Sequence, residues 1–390
     1  VNAFDQSLAE QLAALEAQGL RRQLRNVSAV AGTRLVQDGR SLINFAANDY
    51  LGLATHPALR EAAQRAISDF GAGSGAARLL SGSLAPHLEL EEALAAFKGT
   101  AAALSFTSGY AAAIGTVGAL AGRGDVIILD KLVHSCLVDA ARLSGATLRV
   151  FRHNDLARLE DLLEWSTRQG ARTTLVITES VFSMDGDCAP LREIVESKDR
   201  FGAWLMLDEA HATGLYGPGG QGLASELGVA GRVEVQMGTL GKALGAAGGY
   251  IAGSRVLVDF LVNRARSFIF STAPVPAQTA AALAGVSLVQ TPEGAERRQR
   301  LWERVAQARP AMGLPATAAQ SAILPLILGP ESAALRVAEA LRERGLYVPA
   351  IRYPTVARNQ ARLRISLSAA HTAEDVAQLT DAVAAVRHTP

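Results

Sequence analysis

Apolar residues along this chain recur at two spacings. Near the start Leu8, Leu12, Leu15 and Leu20 fall close to helical spacing, which predicts an amphipathic helix over residues 6–25. The run LVQDGRSLINF, within residues 33–46, breaks at Asp38-Gly39 and predicts a hairpin. From about residue 88 short apolar runs alternate with helical stretches. The runs are Leu104–Thr107, Val126–Asp130, Leu148–Arg152, Thr174–Glu179, Trp204–Asp208, Val233–Met237 and Gly249–Ala252. Strands alternating with helices predict an α/β fold, with a mostly parallel seven-stranded sheet covered on both faces.

After about residue 285 the pattern changes. A helix over 293–308 leads to a strand at Ile323–Leu328, a helix near 333–345, a strand at Arg362–Leu367 and a last helix from Ala373. This reads as a smaller α+β lobe. The expected divisions are an N-terminal helix and hairpin segment (1–47), a large domain (48–285) and a small C-terminal domain (286–390).

Composition narrows the class. With 49% hydrophobic and 19% charged residues, the chain has ample material for a sizeable core. Its 38 basic residues meet 37 acidic ones, so no long-range field favours nucleic acid or an anionic membrane surface. A bound phosphate must therefore be gripped locally. Cys136 and Cys188 offer neither a disulfide framework nor zinc spacing. The first residues carry acids and lack the apolar centre of a signal peptide, and no apolar run reaches spanning length. The expectation is a cytoplasmic protein with no metal.

The candidate chemistry gathers at strand ends, where open α/β sheets place their ligands. ALSFT is followed by Ser108-Gly109-Tyr110, VIILD by His134, and TLVIT by Glu179 and then Ser183. AWLML is followed by Asp208-Glu209-Ala210-His211, and VEVQM by Gly238-Thr239-Leu240-Gly241-Lys242. These groups suit pyridoxal 5'-phosphate (PLP). Lys242 supplies an amine for a Schiff base, and a buried Asp208 would pair with the pyridinium nitrogen. Ser108-Gly109-Tyr110 opens a helix whose N–H groups can take the phosphate, with the Thr239 hydroxyl beside them, and His134 can stack on the ring. Singly, each has a plainer reading: a surface lysine, a capping aspartate, a structural histidine, a turn. Their shared position at the ends of one sheet is what argues for a site.

Two other motifs fail on context. Asp208–His211 spells the DEAH of helicases, yet no phosphate-binding loop with its Gly-Lys-Ser/Thr ending precedes it. Gly217-Pro-Gly-Gly-Gln-Gly222 matches G-x-G-x-x-G, but it follows a loop and carries a proline.

The set Asn48–Leu53, Ser81-Gly82, Ser108–Tyr110, His134, Phe182–Asp187, Asp208–His211 and Thr239–Lys242 resembles, in order and over essentially the whole chain, the α-oxoamine synthases. These are fold-type-I PLP-dependent transferases related to aspartate aminotransferase. The segments Leu143–Ala146, His153-Asn154-Asp155 and Ile351–Val356 are most similar to the branch that condenses L-alanine with pimeloyl-CoA or a pimeloyl-acyl carrier protein. The branch using glycine and acetyl-CoA is the alternative, and a non-catalytic partner subunit of the same fold is a second. Ala76-Ala77 and Ser135-Cys136 depart from the family pattern without removing a charge or nucleophile.

The resemblance implies roles. Lys242, His134 and Asp208 would be catalytic. Ser183 and His211 would approach the ring hydroxyl. Ser108, Gly109, Tyr110 and Thr239 would hold the phosphate, with Ser271 and Thr272 reaching that of a neighbouring subunit in a homodimer. Arg364 would take the amino-acid carboxylate, and Arg22, Asn48, Arg352 and Thr355 would contact substrate.

Overall fold

A computed structural model of the chain describes residues 2–314 and 321–387. The first helix, α1 (Ala3–Ala17), is capped by Asn2, whose Oδ1 accepts from Asp5 N at 2.8 Å. It is shorter than the expected 6–25 because Gly19, at φ +66°, turns the chain away from helical geometry. Strands β1 (Val27–Ala31), β2 (Arg34–Gln37) and β3 (Arg40–Asn44) follow. Asp38 and Gly39, at φ 51° and 74°, make the turn between β2 and β3 where the sequence placed it.

Helices α2 (Pro57–Phe70) and α3 (Ala85–Lys98) lead into the central sheet. Its strands are β4 (Ala102–Phe106), β5 (Val126–Asp130), β6 (Thr147–Phe151), β7 (Thr174–Glu179), β8 (Trp204–Asp208), β9 (Val235–Thr239) and β10 (Gly249–Gly253). Helices α4 (Gly109–Leu120) and α5 (Ser135–Ser144) follow β4 and β5. The seven strands run in the order β4-β10-β9-β8-β7-β5-β6, and β10 is antiparallel to both neighbours. The connection from β9 to β10, residues 240–248, is too short for the crossover a parallel partner requires. Every residue of β4, β5 and β10 is buried, as expected for strands covered on both faces. Strand β9 starts two residues later than the sequence suggests. A turn of 3-10 helix at Ala230–Arg232 precedes it, and Val233 N still donates to Ala230 O at 3.2 Å.

The C-terminal part carries β11 (Ile323–Gly329), β12 (Leu346–Tyr347), β13 (Ala350–Ile351) and β14 (Ala361–Ser366). Strands β11, β14 and β13 make one small sheet, and β12 pairs with β3 to extend the N-terminal hairpin sheet. That pairing joins the N-terminal segment to the C-terminal lobe. One compact unit accordingly draws on the described residues of Val1–Ala47, Met184–Gly186 and Arg300–Pro390, and the other comprises Asn48–Ser183 and Asp187–Gln299. The expected division at 285/286 falls inside a helix, Pro276–Val289, which packs on α2 and α3. The division lies instead at 299/300, within the helix Pro292–Ala308.

Candidate active site

The larger unit brings most of the singled-out groups to one edge of its sheet. Strand β10 pairs with both β4 and β9, and Gly249 is the partner of Phe106 on one side and Thr239 on the other. This register sets the start of α4 beside the end of β9. Ser108 caps α4, its Oγ accepting from Ala111 N at 3.0 Å. A Cβ on Gly109 would stand 4.0 Å from Thr239 Cβ, and a Cβ on Gly249 would collide with the Gly109 backbone at 2.6 Å. Glycine at 249 is what permits this approach. Thr239 Oγ1 donates to Gly248 O at 3.0 Å and accepts from Gly241 N at 3.2 Å, shaping the loop that carries Lys242. The result is a helix N-terminus flanked by hydroxyls, suited to a phosphate. The Tyr110 hydroxyl donates to Asp139 Oδ2 at 2.9 Å, so it is the main chain of Tyr110 that faces this role.

Lys242 Nζ lies 2.7 Å from His211 Nε2, and His211 Nδ1 lies 2.7 Å from the Tyr50 hydroxyl. Tyr50 in turn donates to Asn48 Oδ1 at 3.2 Å. Tyr50 and His211 are buried, so the bond between them, at the centre of this chain, is shielded from water. In the sequence Tyr50 stands inside the Asn48–Leu53 motif, and nothing in its spacing distinguishes it from an ordinary core tyrosine.

Asp208 ends β8 at 4% exposure, directly opposite Glu179 at the end of β7. Its Oδ1 accepts from Ala210 N at 2.9 Å. Burial pushes the Asp208 carboxyl up, while Lys242, the Ala210 N–H and His134 pull it back toward the ionised form. Glu179 is raised well above the ordinary carboxylate range, by burial first and then by the charge of Asp208. Of the two, Glu179 is the one pushed further toward its protonated form. Glu179 also accepts from the backbone N–H of His134, fixing the turn into α5. His134 keeps solvent exposure, yet burial of its ring lowers its basicity, so it is a neutral imidazole at neutral pH. Its Nδ1 accepts from Cys136 N at 3.3 Å. Ser183 is buried in the loop after β7.

Ser271 Oγ donates to Thr272 O at 3.1 Å, and the backbone of Thr272 and Ala273 bridges to residues 76–77, within the larger unit. Arg22, Arg352, Thr355 and Arg364 belong to the smaller unit. There Arg22 Nη2 reaches Thr355 Oγ1 at 3.4 Å and Arg352 donates to Gly19 O. Burial and the nearby Arg22 charge lower Arg352, so three of the expected substrate residues form one cationic cluster. Arg364, in β14, is 5% exposed and donates to Ser366 Oγ at 2.7 Å.

The donor set of the larger unit matches the parts of PLP one by one. An amine stands ready for the aldehyde carbon, a buried carboxylate for the ring nitrogen, a neutral imidazole for the ring face, and a hydroxyl-flanked helix N-terminus for the phosphate. A cavity of about 620 Å³ lined by Trp204, Val235, Leu257 and Phe260 lies at the opposite ends of the strands and holds none of these groups.

A family model described as aminotransferase class I and II matches residues 40–383. The chain is 51% identical over 379 residues to the 8-amino-7-oxononanoate synthase of Anaeromyxobacter dehalogenans strain 2CP-1, covering 96% of this chain and 94% of that one. It is 46% identical over 386 residues to the synthase of the same name from Geobacter metallireducens, covering 98% of each. Among solved structures it superposes on a serine palmitoyltransferase from S. paucimobilis with a bound PLP-myriocin aldimine, with a TM-score of 0.91 at 29% identity over 99% of this chain and 98% of that one. An 8-amino-7-oxononanoate synthase from Francisella tularensis matches with a TM-score of 0.74 at 26% identity, covering 88% and 97%.

Proposed function

For a chain that belongs to the class I and II aminotransferases and, within them, to the 8-amino-7-oxononanoate synthase family, we propose the decarboxylative condensation of L-alanine with a pimeloyl thioester, using PLP. The products are 8-amino-7-oxononanoate, carbon dioxide and the free thiol of the carrier, a step of biotin synthesis. The observation that carries this reading is Lys242 Nζ, 2.7 Å from a buried histidine at the same sheet edge as Asp208 and the capped start of α4.

PLP, when bound, supplies an electron sink for the negative charge that develops at the alanine Cα. The chain's residues supply everything else. Lys242 would hold the cofactor through its amine, and the same amine, when free, would remove the Cα proton of the bound alanine. His211 Nε2 accepts a hydrogen bond from that amine, and Tyr50 fixes the ring through Nδ1. Asp208 would pair with the ring nitrogen and favour its protonated form, which strengthens the sink. The N–H groups of Gly109 and Tyr110, with Ser108 and Thr239, would hold the phosphate, and Ser183 would serve the ring hydroxyl. His134, its basicity lowered by burial, would contact the ring and donate to the thioester carbonyl. The Cα carbanion adds to the thioester carbonyl and the thiolate leaves, taking up a proton to become the free thiol; the alanine carboxyl then leaves as carbon dioxide, and the Lys242 ammonium would return a proton to the same carbon.

Arg364 takes the alanine carboxylate through its guanidinium fork. The cluster of Arg22, Arg352 and Thr355 suits the free carboxylate at the far end of the pimeloyl chain, with Asn48 as a further substrate contact. Ser271 and Thr272 complete the partner's phosphate site in a homodimer, and the reaction takes place in the cytoplasm. Carbon dioxide release with L-alanine and pimeloyl-CoA tests the reading, with glycine and acetyl-CoA as the control. Turnover of only the control pair would reassign the chain to the glycine-using branch.

A further inference from the structure

Lys98 ends helix α3 with its side chain 1% exposed. A lysine so deeply buried must be paired. Its Nζ lies 2.6 Å from Glu209 Oε2 and also donates to Gln221 O. Glu209 is fully buried as well, and its other oxygen accepts from Ala224 N at 3.0 Å. The Glu209 N–H donates to Met237 O at 2.8 Å, on the strand that leads to Thr239 and Lys242. Gly222, at φ +127°, lies against this carboxylate, and a Cβ there would run into it. The glycine loop that imitates a dinucleotide motif thus serves to enclose an ion pair. Burial opposes the Lys98 charge, and Glu209 outweighs it, so the ammonium form is kept.

The pair bears on chemistry because Glu209 is the chain neighbour of Asp208. An unneutralised Glu209 pushes Asp208 toward its protonated form. Lys242 and His134 act in the other direction, although burial keeps His134 neutral at neutral pH. The Cys136 thiol and the Tyr250 phenol, both raised by burial, are further titratable groups that feel Asp208.

We propose that Lys98 is a positioning residue for the cofactor: it neutralises Glu209 and pins the Asp208–His211 turn, so that Asp208 stays available as a carboxylate partner for the ring nitrogen. This rests on the PLP reading above. The two substitutions that break the pair leave opposite charges behind. Lys98→Met leaves a buried carboxylate beside Asp208, Glu209→Gln leaves a buried ammonium, and Lys98→Met/Glu209→Gln leaves neither.

The experiment is PLP binding to the four apoproteins between about pH 5 and pH 9, with a thermal melt of each. The acid limb of PLP affinity should move up by about one pH unit in Lys98→Met, move down in Glu209→Gln, and return to within about 0.3 unit of the parent in the double variant. A purely structural pair would lower the melting temperature of both single variants and leave the acid limb in place, and that result overturns the proposal. If Lys98→Met does not fold, Glu209→Gln and the double variant decide it by the same shifts. Parent protein that binds no PLP at any pH would instead sink the cofactor reading itself.

Discussion

Replacing His153 with asparagine should destabilise the protein in a pH-dependent way. His153 Nδ1 lies 3.1 Å from Asp130 Oδ1 and Nε2 lies 2.7 Å from Asp187 Oδ2, with the ring edge against Phe182 at 4.3 Å between centroids. Burial opposes the charge, but the two carboxylates overcome it and raise the imidazole to about 10. A rise of that size above the ordinary 6.5 corresponds to at most about 5 kcal/mol. The bonds themselves support less. Asp130 is fully shielded while Asp187 is 41% exposed, so one charge-assisted bond is dry and the other is screened. Together they are worth about 2–3 kcal/mol, because water reaches Asp187 and screens its charge. The folded form binds this proton more tightly than the unfolded one. The stabilisation is therefore complete below about pH 6.5, shrinks as the pH rises, and is gone above about pH 10. Thermal melts of parent and His153→Asn at a series of pH values read it directly. The gap in melting temperature should be widest near pH 6 and close toward pH 10. A gap that is constant or widens with pH would refute a protonated His153 clamped between two carboxylates.

Gly249→Ala should cost about 2–4 kcal/mol of stability and weaken PLP retention, since its Cβ meets the Gly109 backbone and pushes α4 away from Thr239; a melt and a PLP titration check both. Asp208→Asn should lower kcat by a hundredfold or more, roughly the cost of losing a preorganised charge, while the fold is kept as judged by circular dichroism. Arg364→Gln should raise KM for L-alanine by about a hundredfold with a smaller effect on KM for pimeloyl-CoA, measured by steady-state kinetics.

Most of the sheet was legible because its strands are continuous apolar runs closed by polar residues. Val126–Asp130, Thr174–Glu179 and Trp204–Asp208 were placed to the residue. The strand before Lys242 was placed two residues early, because Val233 looks like a strand residue while a 3-10 turn still holds it. The division of the chain was harder. The pairing of β12 with β3 links residues about 300 apart, and a two-residue strand leaves no periodic trace. Polar groups at strand ends announced Asp208, His134 and Lys242, since a charge following an apolar run stands out. Tyr50, Lys98 and Glu209 gave no such signal. Their importance comes from bonds across the fold, and in sequence they read as a core aromatic, a helix-end lysine and half of a helicase motif.

Lys242 as the cofactor-bearing residue is tested most directly by chemical trapping. Protein purified with PLP is reduced with borohydride, digested, and searched by mass spectrometry for the phosphopyridoxyl group. The label should fall on Lys242 and be lost in Lys242→Ala, with that variant melting close to the parent apoprotein. A label on another lysine, or none on protein that holds stoichiometric PLP, would contradict it.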